Sequence, residues 1–183
     1  MRVRMRLALG ILLVVGSGCF TATSADHSQL LPNFSQVEVG IYRGGQPTDE
    51  GLRWLAKQGV KTVISLRYYH EGQPHERLLA EQLGLHWVNL PTRFWWRPND
   101  HQVRQFLALA LDPANRPVFV HCHRGQNRTG IMVAIYRIVH DGWSPQQAYT
   151  EARHFGMSWW NVMGRHLILD EAIQEFVPAT ARQ

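Results

Sequence analysis

Residues 118–139 read VFVHCHRGQNRTGIMVAIYRIV, and this stretch decides the fold of the chain. It begins with an apolar, β-branched run after Pro117, which predicts a buried strand. A polar segment follows, and residues 131–139 form an apolar run that predicts a buried helix. A strand–loop–helix turn directs backbone N–H groups and the positive end of the helix dipole towards one point. The stretch therefore predicts an anion-binding loop between a strand and a helix.

Two side chains of this loop add chemistry to the predicted anion site. Cys122 ends the strand and Arg128 lies six residues later, so both can face the same pocket. The helix dipole and a guanidinium stabilise a thiolate, and the planar guanidinium binds two phosphate oxygens at once. With Gly125 inside the loop and Thr129 and Gly130 after it, the pattern indicates a phosphate-binding loop with a nucleophilic cysteine. The alternative is a buried cysteine beside a surface arginine.

The pattern His-Cys-x5-Arg-Thr-Gly at residues 121–130 resembles the phosphate-binding loop of the cysteine-based protein tyrosine and dual-specificity phosphatases. Residues 41–47 (IYRGGQP), 59–66 (GVKTVISL) and 111–117 (LDPANRP) are similar to the atypical dual-specificity group of bacteria, fungi and plants. Within that group, the chain most resembles periplasmic tyrosine phosphatases and phosphatases of inositol pyrophosphates. Arg43, in the first segment, is interpreted either as a site residue or as a structural ion-pair residue.

The resemblance implies hydrolysis of phosphate monoesters in two steps, with no metal or cofactor. Cys122 attacks phosphorus and forms a phosphocysteine, which water then hydrolyses. The Thr129 hydroxyl is expected to hydrogen-bond the Cys122 sulfur, and His121 either orients the loop or is a plain core histidine. The ten histidines of the chain show no metal-ligand spacing. The residues expected to bind the substrate phosphate are His123, Arg124, Gly125, Gln126, Asn127, Arg128 and Thr129.

The general acid is the least defined part of the predicted site. In this family an aspartate on the loop after the third strand protonates the leaving oxygen, and its expected position here falls near Trp95. The nearest carboxylate is Asp100, which is therefore the predicted general acid. The alternative is that Asp100 only interacts with the dipole of a helix that begins there, an effect of about 0.3–1 kcal/mol.

The loop before Asp100 is rich in aromatic and basic residues. Aromatic residues at 94–96 and 159–160 are expected either to line the pocket and stack on a phosphotyrosine ring or to serve only in packing. Arg93, Arg97 and Arg124 instead favour a polyphosphorylated ligand.

Alternating strands and helices predict an α/β fold with a mostly parallel central sheet flanked by helices. The resemblance makes this a three-layer sandwich of the dual-specificity phosphatase type, covering residues 37–177. Strands are predicted at 37–43, 60–66 and 85–90, and a last helix at 165–177. A disordered lead-in at 26–36 and a tail at 178–183 flank this single domain.

Residues 1–25 predict a secretory signal, because three arginines precede an apolar segment too short to span a bilayer. The alternative is an uncleaved N-terminal anchor helix. Residues 17–19 (SGC) resemble the end of a lipoprotein signal, which would leave a lipid on Cys19, whereas residues 23–25 (TSA) offer an ordinary cleavage site. We favour the second, and hence a soluble periplasmic protein whose only cysteine is Cys122. Membrane attachment is expected only through the signal or that lipid.

The formal charge of the chain is +5, and three of these charges lie in the predicted signal, so the remainder carries +2. This mild excess, without basic runs, does not indicate nucleic-acid binding. The expected partner of a monomeric enzyme is a phosphotyrosine-bearing protein or a small phosphorylated substrate. Two further hypotheses are a pseudophosphatase module that binds phosphate without turnover, and a sulfur transferase or arsenate reductase. The last two usually lack the Arg-Thr-Gly continuation.

Overall fold

The computed structural model describes residues 27–69, 73–93 and 98–158 of the chain. These residues form five strands and five α-helices. The strands are β1 Ser35–Glu38, β2 Ile41–Gly44, β3 Thr62–Ser65, β4 His86–Asn89 and β5 Val118–His121. The helices are α1 Asp49–Lys57, α2 Gln73–Gln82, α3 Asp100–Leu111, α4 Asn127–Val139 and α5 Pro145–His154. The predicted signal, the helix at 165–177 and the tail at 178–183 lie outside the described residues.

The strands form one sheet in the order β1-β2-β5-β3-β4. The β1–β2 pair is antiparallel, and the other three pairs are parallel. Gly44 of β2 and Ser65 of β3 both lie opposite His121 of β5. The carboxyl ends of these three strands therefore meet at one edge, where ligands commonly bind to α/β sheets.

Alternating residues of the sheet enter two separate hydrophobic cores. Ile64 and Val120 pack on the side of α3, α4 and α5. Val63 and Phe119 pack on the side of α1 and α2. Because each face is covered by helices, the arrangement confirms the predicted α/β fold with a mostly parallel sheet in three layers.

Three of the described helices, α1, α3 and α5, begin with a side-chain cap of the kind that Ser, Thr and Asn commonly provide. Thr48 accepts a hydrogen bond from the Gly51 N–H at the start of α1, and capping boxes open α3 at Asn99 and α5 at Ser144. Helix α4 differs from α1, α3 and α5, because the side chain of its N-cap residue, Gln126, makes no capping hydrogen bond. The uncapped start of α4 lies at the edge where the strand ends meet.

The predicted strand at residues 37–43 is instead a hairpin. β1 ends at Glu38 and β2 begins at Ile41. Gly40 between them has φ +83°, in the left-handed region that glycine adopts without steric cost. The alternating pattern indicated extended backbone on both sides but concealed the turn.

The predicted disordered lead-in at residues 26–36 is also wrong over its described part. Leu31 is fully buried in the core on the α1 side. The carbonyl oxygens of Leu30 and Pro32 accept hydrogen bonds from the N–H groups of Thr48 and Gly45, at 3.0 and 2.6 Å. These contacts join residues more than ten positions apart, which no local pattern reveals.

Helix α4 begins at Asn127, four residues before the predicted start at 131. Arg128 and Thr129 therefore lie in its first turn rather than in the loop.

None of the described helices is both long and apolar enough to cross a bilayer.

Candidate active site

A cavity of about 430 Å³ opens at the carboxyl edge of the sheet. Cys122 is 3% exposed and Arg128 is 5% exposed, and both the predicted nucleophile and the predicted guanidinium line this cavity. The structure thus brings together most of the predicted loop residues. The residues lining the cavity are Arg67, Cys122, His123, Arg124, Gln126, Asn127 and Arg128.

Two carbonyl oxygens of the loop accept hydrogen bonds from residues that do not line the cavity. His123 O accepts from the backbone N–H of Gln46 at 3.0 Å. Gly125 O accepts from the guanidinium of Arg43 at 2.9 Å and from the side-chain amide of Asn33 at 3.0 Å. In a trans peptide the C=O and the following N–H point in opposite directions. The N–H groups after these two carbonyls therefore point towards the cavity, as an anion-binding loop requires.

Arg43 supports the loop from behind. Its side chain is 1% exposed, and its guanidinium lies 3.9 Å from the centre of the Phe155 ring. Burial lowers the pKa of Arg43 to about 10, although the charges of Glu151 and Cys122 favour its cationic form. Among the described residues Arg43 is in no ion pair within 4 Å, so its observed role is the hydrogen bond to Gly125 O.

The glycine pair at the end of β2, Gly44 and Gly45, packs directly against the phosphate-binding loop. A Cβ atom on Gly125 would lie 2.5 Å from the carbonyl carbon of Gly44 and 2.6 Å from the nitrogen of Gly45. Gly125 also has φ +70°. The loop and the turn after β2 are therefore in backbone contact. The run of Gly44, Gly45 and Pro47 is typical of a turn, but nothing in this pattern indicates that the turn would support residues 80 positions later.

Gly125→Ala is expected to lower the free energy of unfolding by about 3 kcal/mol, since left-handed strain of about 1–2 kcal/mol adds to overpacking of about 1–3 kcal/mol. The matched control is Gly142→Ala, where φ is +68° but a Cβ meets nothing within 4 Å. Urea unfolding of both variants measures the difference. Equal losses would show that the contact with the glycine pair is not tight.

Arg128 and Thr129 occupy the first turn of α4. Arg128 Nη1 donates to the carbonyl oxygens of Leu66 and Thr92, each at 3.3 Å, so the segments after β3 and β4 orient its guanidinium. The Thr129 hydroxyl donates to Gly44 O at 3.4 Å. This bond replaces the predicted one to the Cys122 sulfur, because the glycine turn lies against the helix start.

Two site residues were missed from the sequence. Arg67, directly after β3, lines the cavity beside the predicted loop. Glu76 of α2 is buried and accepts a hydrogen bond of 2.7 Å from His121 Nε2. Burial would raise the pKa of this carboxyl, but the charge and hydrogen bond of His121, with hydrogen bonds from Gln46 and Trp87, lower it to about 2. His121 is thus tied to Glu76 rather than packed as a plain core histidine.

The structure does not bring Asp100 to the cavity. Asp100 is the exposed first residue of α3, directly after its N-cap Asn99. Arg93 is exposed as well, and its guanidinium lies 5.4 Å from the centre of the Tyr68 ring. No carboxylate is found among the described residues that line the cavity. The aromatic residues at 94–96 and 159–160, and Arg97, lie outside the described residues.

A family model described as "DSP-PTPase phosphatase fused to NAD+ Kinase" matches residues 21–164. The chain belongs to the DSP-PTPase phosphatase family. The matched range includes the phosphate-binding loop and every described residue of the cavity. Membership confirms the resemblance on which the site was predicted.

The relatives of this chain include one named as a dual specificity protein phosphatase and one named as an inositol diphosphatase. The chain is 34% identical over 126 residues to the dual specificity protein phosphatase TpbA of Pseudomonas aeruginosa, covering 68% of this chain and 55% of TpbA. It is 32% identical over 155 residues to inositol diphosphatase DSP3 of Arabidopsis thaliana, covering 77% of this chain and 73% of that relative. A solved structure of a TpbA variant in complex with pTyr superposes with TM-score 0.67 at 27% identity, covering 82% of this chain and 91% of that one.

The chain spans about half the length of TpbA and only 11% of the NAD kinase 2 proteins of rice and Arabidopsis, with which it shares one segment of 108 residues.

Proposed function

We propose that this chain is a cysteine-dependent phosphatase that hydrolyses phosphate monoesters. The observation that carries the proposal is the placement of Cys122 and Arg128 in one buried pocket at the uncapped start of α4. The N–H groups of the loop, the helix dipole and the guanidinium all favour negative charge there. Such donors stabilise the charge that develops on a transferring phosphoryl group.

The reaction proceeds by two in-line displacements at phosphorus. The Cys122 thiolate forms an S–P bond while the ester P–O bond breaks, and the leaving oxygen takes a proton from a general acid. Water then attacks phosphorus and gives a proton to the deprotonated general acid, the S–P bond breaks, and inorganic phosphate leaves as the thiolate returns. Arg128 and the loop N–H groups hold the non-bridging oxygens through both steps.

Phosphate release from p-nitrophenyl phosphate tests the proposal against the pseudophosphatase alternative. The protein is expected to release phosphate over many turnovers with EDTA present. The same protein alkylated beforehand with iodoacetamide, which blocks Cys122, is the inactive control. Binding of phosphate without turnover would support the pseudophosphatase, and equal rates before and after alkylation would contradict a cysteine mechanism.

The substrate we propose is a phosphotyrosine-bearing protein, since the solved TpbA complex contains pTyr. An inositol polyphosphate or pyrophosphate is a second candidate, because Arg67 and Arg124 line the cavity beside Arg128 and the chain is similar to an inositol diphosphatase. The ratio of kcat/KM for a phosphotyrosine peptide and for an inositol pyrophosphate distinguishes the two candidates.

The predicted general acid, Asp100, is tested by the variant Asp100→Asn. If Asp100 protonates the leaving oxygen, kcat/KM loses its fall at alkaline pH and drops by about 10²–10⁴-fold for poor leaving groups. The sequence-based assignment predicts this loss, which requires Asp100 to reach the cavity although it is not among the described residues that line it. An unchanged pH–rate profile would restrict Asp100 to its place in the first turn of α3.

Export across the inner membrane is also part of the proposal. Residues 1–25 carry the pattern of a cleaved signal, and the mature protein is proposed to be a periplasmic monomer. Mass spectrometry of the mature N-terminus measures the outcome. A chain that starts at Asp26 supports the soluble form, a lipid-modified Cys19 supports an anchored form, and an intact Met1 contradicts cleavage.

A further inference from the structure

The carboxylate of Glu76 is the meeting point of three hydrogen-bond donors from three different segments. Glu76 is 3% exposed. Its Oε1 accepts from His121 Nε2 at 2.7 Å and from Trp87 Nε1 at 3.0 Å, and its Oε2 accepts from Gln46 Nε2 at 2.9 Å. A buried carboxylate is costly unless its oxygens are bonded in this way. The cost and the number of donors indicate a role beyond packing.

Two of these donor residues, His121 and Gln46, also contact the phosphate-binding loop. His121 directly precedes Cys122, and its Nδ1 lies 3.3 Å from the Cys122 carbonyl oxygen. Gln46 donates its backbone N–H to His123 O at 3.0 Å. The side-chain oxygen of Gln46 also accepts from Arg67 Nη1 at 2.6 Å. Glu76 is thus linked to the residues on both sides of the nucleophile and to a cation of the cavity wall.

The partners of His121 favour a positively charged ring. Nε2 lies 2.7 Å from a carboxylate oxygen and Nδ1 lies 3.3 Å from a carbonyl oxygen, and both of these are acceptors only. The two hydrogen bonds can form together only when each ring nitrogen carries a proton, so this arrangement favours the cation. That cation lies one residue from Cys122, whereas its counter-charge on Glu76 lies beyond the ring. A nearby positive charge favours the thiolate.

We propose that Glu76 is a positioning residue of this site, which acts through His121 to hold Cys122 as a thiolate and through Gln46 to hold Arg67 at the cavity. The role rests on the proposed function, in which the Cys122 thiolate is the nucleophile. This role explains why Glu76 and His121 are buried as a hydrogen-bonded pair beside the site, although neither residue takes part directly in the two displacement steps.

Charged groups from several other elements surround Cys122. None of them is substituted in the variants below, and among them Arg67 is itself held through Glu76 and Gln46, so a change in thiolate reactivity reports on the contacts of Glu76. The groups are Arg43 of β2, which interacts electrostatically with Cys122, Glu151 of α5, which acts on Arg43, Arg67 after β3, His123 and Arg124 in the loop, and Arg128 of α4.

The test compares Glu76→Gln with Glu38→Gln. Glu38 is a matched control, because its carboxylate also binds several donors, Tyr136 and Arg116 among them, but lies beside the start of β5 rather than the cavity. The rate of Cys122 alkylation by iodoacetamide is measured against pH. In Glu76→Gln its midpoint is expected to rise by about one pH unit, and kcat/KM for p-nitrophenyl phosphate at pH 5 to fall about tenfold. Glu38→Gln is expected to change neither value more than twofold.

A midpoint that stays unchanged or falls in folded Glu76→Gln would overturn the proposal. If that variant does not fold, Trp87→Phe removes one donor from the same carboxylate, and its midpoint is expected to rise by a smaller amount; no rise would again overturn the proposal. The double variant Glu76→Gln/His121→Asn is expected to be no slower than the slower single variant, because both changes break one linkage. Alkylation needs no turnover, so this result is independent of whether the protein proves to be a phosphatase.

Discussion

Cys122→Ser is expected to lower kcat for p-nitrophenyl phosphate by about 10⁴-fold or more, because the loss of a covalent nucleophile removes the whole two-step route. A serine hydroxyl is not ionised in this pocket, so the favourable field of the α4 start and of Arg128 has no thiolate on which to act. Steady-state release of p-nitrophenol measures the loss.

The same variant should still bind phosphate. The loop N–H groups and Arg128 remain in place, because Cys122 is 3% exposed and serine is smaller than cysteine. We expect the Kd of Cys122→Ser for a phosphotyrosine peptide to stay within about threefold of the value for the unmodified protein, since none of the phosphate donors changes. Comparable turnover by the two proteins would assign the nucleophile elsewhere.

Arg128→Lys is expected to lower kcat/KM by about 10³-fold, similar to the loss of a key donor to transition-state charge. Lysine keeps the positive charge but lacks the planar fork that binds two oxygens, and it cannot reproduce the paired bonds of Arg128 to Leu66 O and Thr92 O. The measurement is the steady-state rate over a range of p-nitrophenyl phosphate concentrations, from which kcat/KM is obtained at subsaturating substrate and kcat at saturating substrate.

Arg77→Lys is the control for this substitution. Arg77 is an exposed residue of α2 that pairs with Glu81 at 2.7 Å, and the same change there is expected to leave kcat/KM within twofold. A loss of less than tenfold in Arg128→Lys would mean that positive charge alone, rather than two-oxygen binding, is what the site requires.

The central strand, the loop and α4 were predictable because their signals are local. The apolar run at 118–120, the break at Cys122 and the apolar residues from 131 lie in one stretch, and the cap residues Thr48 and Ser144 adjoin the helices that they start. The nucleophile and the guanidinium therefore followed from the pattern of this one stretch and from its resemblance to the phosphatase loop. The start of α4 was placed too late because its first turn is polar, as befits residues that face a ligand.

The support of the loop was not predictable from one sequence. His121 and Glu76 are 45 positions apart, and Asn33 reaches Gly125 across 92 positions. Each of these pairs depends on the strand order, which places β2 and β3 on either side of β5. The same tertiary contacts order residues 27–36, where the local sequence carries no strong helix or strand pattern.

The most direct test of the central claim is the detection of phosphate on Cys122 during turnover. A single turnover of p-nitrophenyl phosphate is stopped with acid, and the peptide that contains residue 122 is analysed by mass spectrometry. We expect a phosphocysteine at Cys122 that forms and decays at rates compatible with kcat. Sustained turnover with no phosphate on Cys122, or with phosphate on another residue, would contradict it.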